Sequence, residues 1–94
     1  MPEPLNNAER RKLKAAAQRL NATVKLGKAG LTPEFLKALN HELVHRELVK
    51  VRFDEHKDER KTLAAAMAEK TSSELIWIVG HVAVFYRKRA APSA

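Results

Sequence analysis

Apolar and polar residues alternate along this chain in two rhythms. Over 6–20, Leu13, Ala16, Ala17 and Leu20 recur at helical spacing, and Arg10, Arg11, Lys12, Lys14 and Arg19 take most of the remaining surface. Asn6 is placed to cap this helix, with Glu9 positioned to complete a capping box. Thr23, Val24, Lys25 and Leu26 alternate with period two, so 23–26 reads as a short strand. A second helix over 33–46 gathers Phe35, Leu36, Leu39 and Leu43 on one side. The stretch 48–54 alternates again, with Val49, Val51 and Phe53 on one face and Lys50, Arg52 and Asp54 on the other. A third helix spans 58–70 on Leu63, Ala66 and Met67. Two strands, 74–79 and 82–87, then flank Gly80-His81. Glycine first in a two-residue loop predicts a type II′ hairpin. Its register would set Ile76 opposite Phe85, Trp77 opposite Val84 and Glu74 opposite Arg87.

The order α-β-α-β-α-β-β predicts an α/β fold. It forms one domain over 6–88, with a loose lead-in at 1–5 and a loose tail at 89–94. Strand–helix–strand units need parallel pairing, whereas the hairpin is antiparallel. The expected sheet is therefore small, mixed and four-stranded, with helices packed on one face. On its open face Trp77, Val84 and Tyr86 would join Lys25, Lys50 and Arg52. The two rings would then be available for stacking on unpaired bases.

Between the first strand and the second helix lies Leu26-Gly27-Lys28-Ala29-Gly30-Leu31-Thr32-Pro33. Thr32 suits the N-cap, because its hydroxyl can accept a free amide proton of the first turn. Pro33 suits the first helical position, where a missing N–H costs nothing. Two glycines let the backbone turn and let another chain come close. The helix start favours an anion, and Lys28 adds a full positive charge. The loop is built like a phosphate contact. Alone the pattern is weak: it lacks the length and Lys-Ser/Thr ending of a P-loop, and the third glycine of a dinucleotide site.

Composition narrows the partners. Ninety-four residues make one domain, and 45% hydrophobic content supports a modest core. Eighteen Lys and Arg against 11 acids leave a net charge of +7, which points to a polyanion. There is no cysteine, so disulfides and thiolate metal sites are excluded. The start Met1-Pro2-Glu3-Pro4-Leu5 has neither a basic opening nor an apolar run, so a cytoplasmic location is expected. No stretch approaches the ~20 apolar residues of a membrane span.

One motif suggests an enzyme. His41-Glu42-Leu43-Val44-His45 matches the H-E-x-x-H pattern, in which two histidines hold zinc and the glutamate acts as general base. A catalytic zinc needs a third protein ligand, and neither Glu59 nor Glu69 falls in a recognisable second motif. Both histidines lie away from the Phe35, Leu39 and Leu43 stripe. The expectation is two solvent-facing histidines, no metal and no catalysis.

The basic first helix, the run Val24-Lys25-Leu26-Gly27-Lys28-Ala29-Gly30-Leu31-Thr32, the Glu47-Leu48-Val49-Lys50-Val51 strand entry and the closing Phe85-Tyr86-Arg87 together resemble a CRM domain. This is the chloroplast RNA splicing and ribosome maturation module, which stands alone in bacteria as YhbY-type proteins. The resemblance covers about 6–88. It implies an RNA-binding domain without a cofactor, similar in fold to the C-terminal domain of bacterial translation initiation factor three. It also implies that Gly27, Lys28, Ala29 and Gly30 contact RNA. Bacterial members associate with precursors of the large ribosomal subunit, so the expected partner is ribosomal RNA and the expected state a monomer. Lys25, Lys50 and Arg52 would extend the cationic surface, with Arg10, Arg11, Lys12 and Lys14 as outer contributors. The competing readings are a zinc hydrolase built on His41, Glu42 and His45, and a basic protein-interaction module of a ribonucleoprotein.

Overall fold

A computed structural model describes residues 6–87. The expected lead-in at 1–5, Lys88 and the expected tail at 89–94 lie outside the described residues. The elements are α1 (Asn7–Gln18), β1 (Val24–Leu26), α2 (Pro33–Arg46), β2 (Leu48–Phe53), α3 (Arg60–Lys70), β3 (Glu74–Val79) and β4 (Val82–Tyr86). Local chemistry sets their limits. Asn6 Oδ1 accepts the Glu9 N–H at 2.8 Å, and Thr32 Oγ1 accepts the Phe35 N–H at 3.0 Å. Both caps hold where the sequence placed them. α1 stops two residues short of the expected Leu20, because Arg19 and Leu20 bond back to Ala16 and Ala17 in a tighter turn. α3 likewise begins at Arg60, after a 3₁₀ turn over Lys57–Glu59.

The four strands run in the order β1-β2-β4-β3. β1 pairs with β2 in parallel, and β4 is antiparallel to both of its neighbours. The closing hairpin thus inserts its return strand between β2 and β3. Gly80, at φ +57°, opens the two-residue loop, and Val79 faces Val82 across it. Trp77 pairs with Val84 as expected. Beyond that pair the expected register fails. A bulge at Ile76 makes Leu75 the partner of Phe85, and Glu74 the partner of Tyr86 rather than of Arg87.

Two apolar clusters sandwich the sheet. In the larger, Leu26, Val49, Val51, Phe53, Ala83 and Phe85 meet Leu39 and Leu43 of α2 and Ala64 and Met67 of α3. This is the helix-covered face that the sequence predicts. In the smaller, Leu48, Ile76 and Val84 on the opposite face meet Ala17 of α1, with Leu13, Leu20, Trp77 and Tyr86 around them. Helices on one face therefore describes α2 and α3 but not α1. The bulge contributes to the difference. It carries Ile76, expected beside Phe85, over to the α1 side, while Leu75 takes its place against the larger cluster.

α2 passes into β2 through a single residue. Glu47 sits at φ 58°, ψ −46°, with its N–H on the Leu43 carbonyl and its own carbonyl accepting the Arg87 N–H at 2.9 Å. Backbone in such a region costs about 1–3 kcal/mol and persists only where its surroundings fix it, as bonds from α2 and from Arg87 after β4 do here.

The docking of α1 gives a direct test. Ala17 is its one buried residue. Ala17→Glu should lower the unfolding free energy by about 2–3 kcal/mol, because a charge would be pressed against Leu48 and Val84. It should also red-shift the emission of Trp77, the only tryptophan. An unchanged melting temperature and spectrum would mean that α1 is not docked in solution.

Candidate nucleic-acid interface

The glycine loop hangs between two fixed points. At its entry Leu26 is fully buried, and its carbonyl accepts the N–H groups of Asp54 and Glu55 at 3.1 and 3.3 Å. At its exit Thr32 caps α2. Between them Gly30 N–H donates to the Gly27 carbonyl at 3.1 Å, closing a turn, and Thr32 N–H donates to the Gly30 carbonyl at 2.9 Å. The Lys28 carbonyl lies 2.9 Å from His56 Nε2, which must be the donor because a carbonyl can only accept. His56 follows β2, so a residue 28 positions away pins the loop. The Lys28 side chain stays exposed.

The two glycines do different work. Gly30 lies at φ +72°, in the left-handed region, with His56 Nε2 3.8 Å from where a Cβ would sit. The turn needs it. Gly27 has no such backbone constraint, and a Cβ there would meet nothing within 4 Å. Its missing side chain leaves the backbone open to an approaching chain.

The cations divide by location. Lys25, Arg52, Val82 and Val79 are successive partners across β1, β2, β4 and β3, on the face that α1 shares. α1 covers the other end of that face, over Leu48, Ile76 and Val84, so this row remains uncovered. Lys25 and Arg52 are exposed, and Val79 is 44% exposed. Arg52 Nε holds Asp54 Oδ1 at 2.7 Å. That hydrogen bond keeps the Asp54 carboxyl below its ordinary range, and the charges of Arg52, Lys25 and Lys57 act in the same direction. Lys50 is drawn away from the row. Its Nζ donates to the Leu20 carbonyl at 2.9 Å and ties the end of α1 to the sheet.

On α1 the basic residues split in the same way. Arg10 turns inward, to the Leu75 carbonyl at 3.4 Å and Glu74 at 3.5 Å. Lys14 Nζ lies 5.5 Å from the centre of the Trp77 ring, a cation–π distance. Arg11 and Lys12 remain exposed. Trp77 and Tyr86 do not stand on an open face; both are half-buried and pack around the α1 cluster.

His41 and His45 are exposed, as expected, with ring centroids 4.5 Å apart. Glu42 forms an ion pair with Arg46 at 2.9 Å. Among the described residues no group of three or more His, Cys, Asp or Glu is arranged to hold a metal ion. The residue that sequence reasoning missed is His56. A histidine in a polar connection carries no local mark of a contact made across 28 positions.

A family model described as the CRS1 / YhbY (CRM) domain matches residues 5–87. An RNA-binding protein of Haemophilus influenzae is 34% identical over 84 residues, covering 88% of this chain and 85% of that one. In Bacillus subtilis, YqeI, whose name marks RNA binding as probable, is 28% identical over 85 residues, 89% of this chain and 88% of its own. The solution structure of SAV1595 from Staphylococcus aureus, described as a candidate RNA-binding protein, superposes with a TM-score of 0.80. It is 30% identical, over 96% of this chain and 95% of that one.

Tyr86 reports on the α1 interface. Burial beneath α1 raises its phenol above the ordinary value, and Glu47 and Glu9 add to the effect. The folded state therefore holds the phenol proton more tightly than the unfolded chain does. The corresponding stability is complete below about pH 10 and is lost as pH rises through the folded value. Tyr86 is the only tyrosine, so an ultraviolet absorbance titration reads it alone. The midpoint should lie above that of the denatured chain, and Tyr86→Phe should remove this part of the alkaline loss. Equal midpoints would contradict the half-buried position.

Proposed function

The chain belongs to the CRS1 / YhbY (CRM) domain family, a family of RNA-binding domains, and from that membership we propose that it binds RNA through the loop of residues 27–30. The partner in this reading is the RNA of large ribosomal subunit precursors, and the protein assists their assembly in the cytoplasm as a monomer without catalysing a reaction. One observation carries the choice of loop. The backbone at Gly27 is open on the side where a Cβ would stand, and Lys28 is exposed beside it, while Gly30 and His56 keep the turn in shape. A phosphate can approach that backbone without first ordering it. Lys25 and Arg52 extend the positive surface from the loop across the uncovered end of the sheet. Arg11 and Lys12 are the cations of α1 that remain free to reach a longer RNA. Such contacts position an RNA and give affinity; recognition then rests on its shape and its unpaired bases.

The loop residues separate binding from folding. Gly27→Val and Lys28→Glu should each weaken RNA affinity while leaving the melting temperature nearly unchanged. Gly30→Val should in addition cost about 1–2 kcal/mol of stability, from the left-handed backbone. Anisotropy titration with a ribosomal RNA fragment, run beside thermal unfolding, measures both. Full affinity in folded Gly27→Val and Lys28→Glu would remove the loop from the mechanism.

Salt dependence counts the phosphates. With roughly four to six contacts to single-stranded RNA, log affinity against log salt should fall with a slope of about −3 to −4. Lys28→Glu should make that slope shallower by about 0.7, one phosphate's share. A flat dependence in the unaltered protein would assign the net charge to solubility instead.

A further inference from the structure

β1 is an edge strand, and α2, which follows it directly after the loop, packs on the covered face beside it. Between them lies a groove of about 520 Å³, lined at the loop by Gly27, Ala29 and Gly30. That volume is within the ~300–1,000 Å³ of small-molecule sites. We propose that this groove receives an unpaired base of the RNA whose phosphates rest on the loop. The proposal rests on the RNA-binding reading above and assigns the groove a role distinct from the loop's.

The chemistry changes along the groove. Beside the loop it is lined by Gly27 and by Lys25, whose side chain belongs to the α1 face of the sheet. Along α2, Phe35 and Ala38 supply apolar surface. Phe35 is half-buried, packed against the main core while also lining the groove. Glu34, His41 and Glu42 add polar groups along α2. Glu42 is already paired with Arg46, whereas Glu34 opposes a phosphate backbone running through the groove, so the charged chain is held to the loop. A base meets no such barrier. It is neutral, its ring can lie against Phe35, and its amino groups can donate to a carboxylate. The outer edge of β1 adds backbone groups that no further strand pairs.

The same features disfavour a peptide strand added to this edge. β1 has only three residues, too short for an extended ladder. An acidic peptide drawn by Lys28 would run into Glu34. Duplex RNA fits no better, because its bases are stacked and paired and cannot leave the helix to enter.

Ala38→Trp tests the groove. Ala38 is exposed on α2, so a large side chain there fills the space without entering the core. The probes are a short fluorescein-labelled single-stranded RNA of mixed sequence and a duplex of equal length. The unaltered protein should favour the single strand. Ala38→Trp should weaken single-strand binding about fivefold or more, the lower range of one stacked base, and leave duplex binding as it was. Amide shifts in the unaltered protein provide a measurement that needs no variant. Val24, Phe35 and Ala38 should move with the single strand only, and Lys28 with both RNAs. Equal losses for both RNAs, no loss for either, or shifts confined to the loop would overturn the groove while leaving RNA binding by the loop intact. An unaltered protein that binds neither RNA would instead overturn the RNA-binding reading, and the groove with it.

Discussion

Ala83, Val84 and Phe85 of β4 are all fully buried, although successive side chains on a strand point to opposite faces. A strand buried on both sides needs a cover on both sides. α2 and α3 supply one, against Ala83 and Phe85. Val84 requires the other, and α1 supplies it through Ala17. The position of β4 between β2 and β3 follows from the same need, since the centre of the sheet is where both covers reach. Rough transfer values of ~1.5–3 kcal/mol for each large buried side chain make this two-sided burial the main stabilising element of a small domain.

The second cover decides what surface is left for a ligand. α1 reaches only as far as Leu48, Ile76 and Val84, and the row from Lys25 to Val79 begins beyond it. Lys50 belongs to the boundary, where its ammonium holds the tight turn that follows α1, near the negative end of the helix. Arg10 and Lys14 are likewise engaged with β3. Of the cations considered for the RNA surface, those left exposed fall in two groups, Arg11 and Lys12 on α1, and Lys25, Lys28 and Arg52 around the loop end of the sheet.

The loop combines an anchored frame with an open contact point. Leu26, Thr32 and His56 hold it at three places, and the conformational freedom of glycine is needed only at Gly30. Gly27 serves by having nothing around it. A contact point held in shape before its ligand arrives loses little entropy on binding, which suits an interaction made of a few phosphate contacts.

Much of this was legible in the chain because it rests on neighbours. The Asn6 and Thr32 caps, Pro33 at the start of α2, the hairpin loop at Gly80-His81 and the spans of α2 and β3 all follow from local geometry and hydrophobic period. So does the exposure of His41 and His45, one turn apart on the polar side of α2. The run Val82-Ala83-Val84-Phe85-Tyr86 is apolar throughout, yet read by alternation it left Val84 and Tyr86 on an open face, which α1 in fact covers. Which helix would cover it was settled only by packing. Ala17 is small enough to let α1 lie close, and the bulge at Ile76 adds the apolar surface that receives it, a register change that no period-two pattern can announce. The partners of Lys50, Arg10, Lys14 and His56 were decided at the same level. Each is contacted from an element distant in the chain, so a polar side chain that looks free in sequence becomes a latch once the sheet brings its partner within reach.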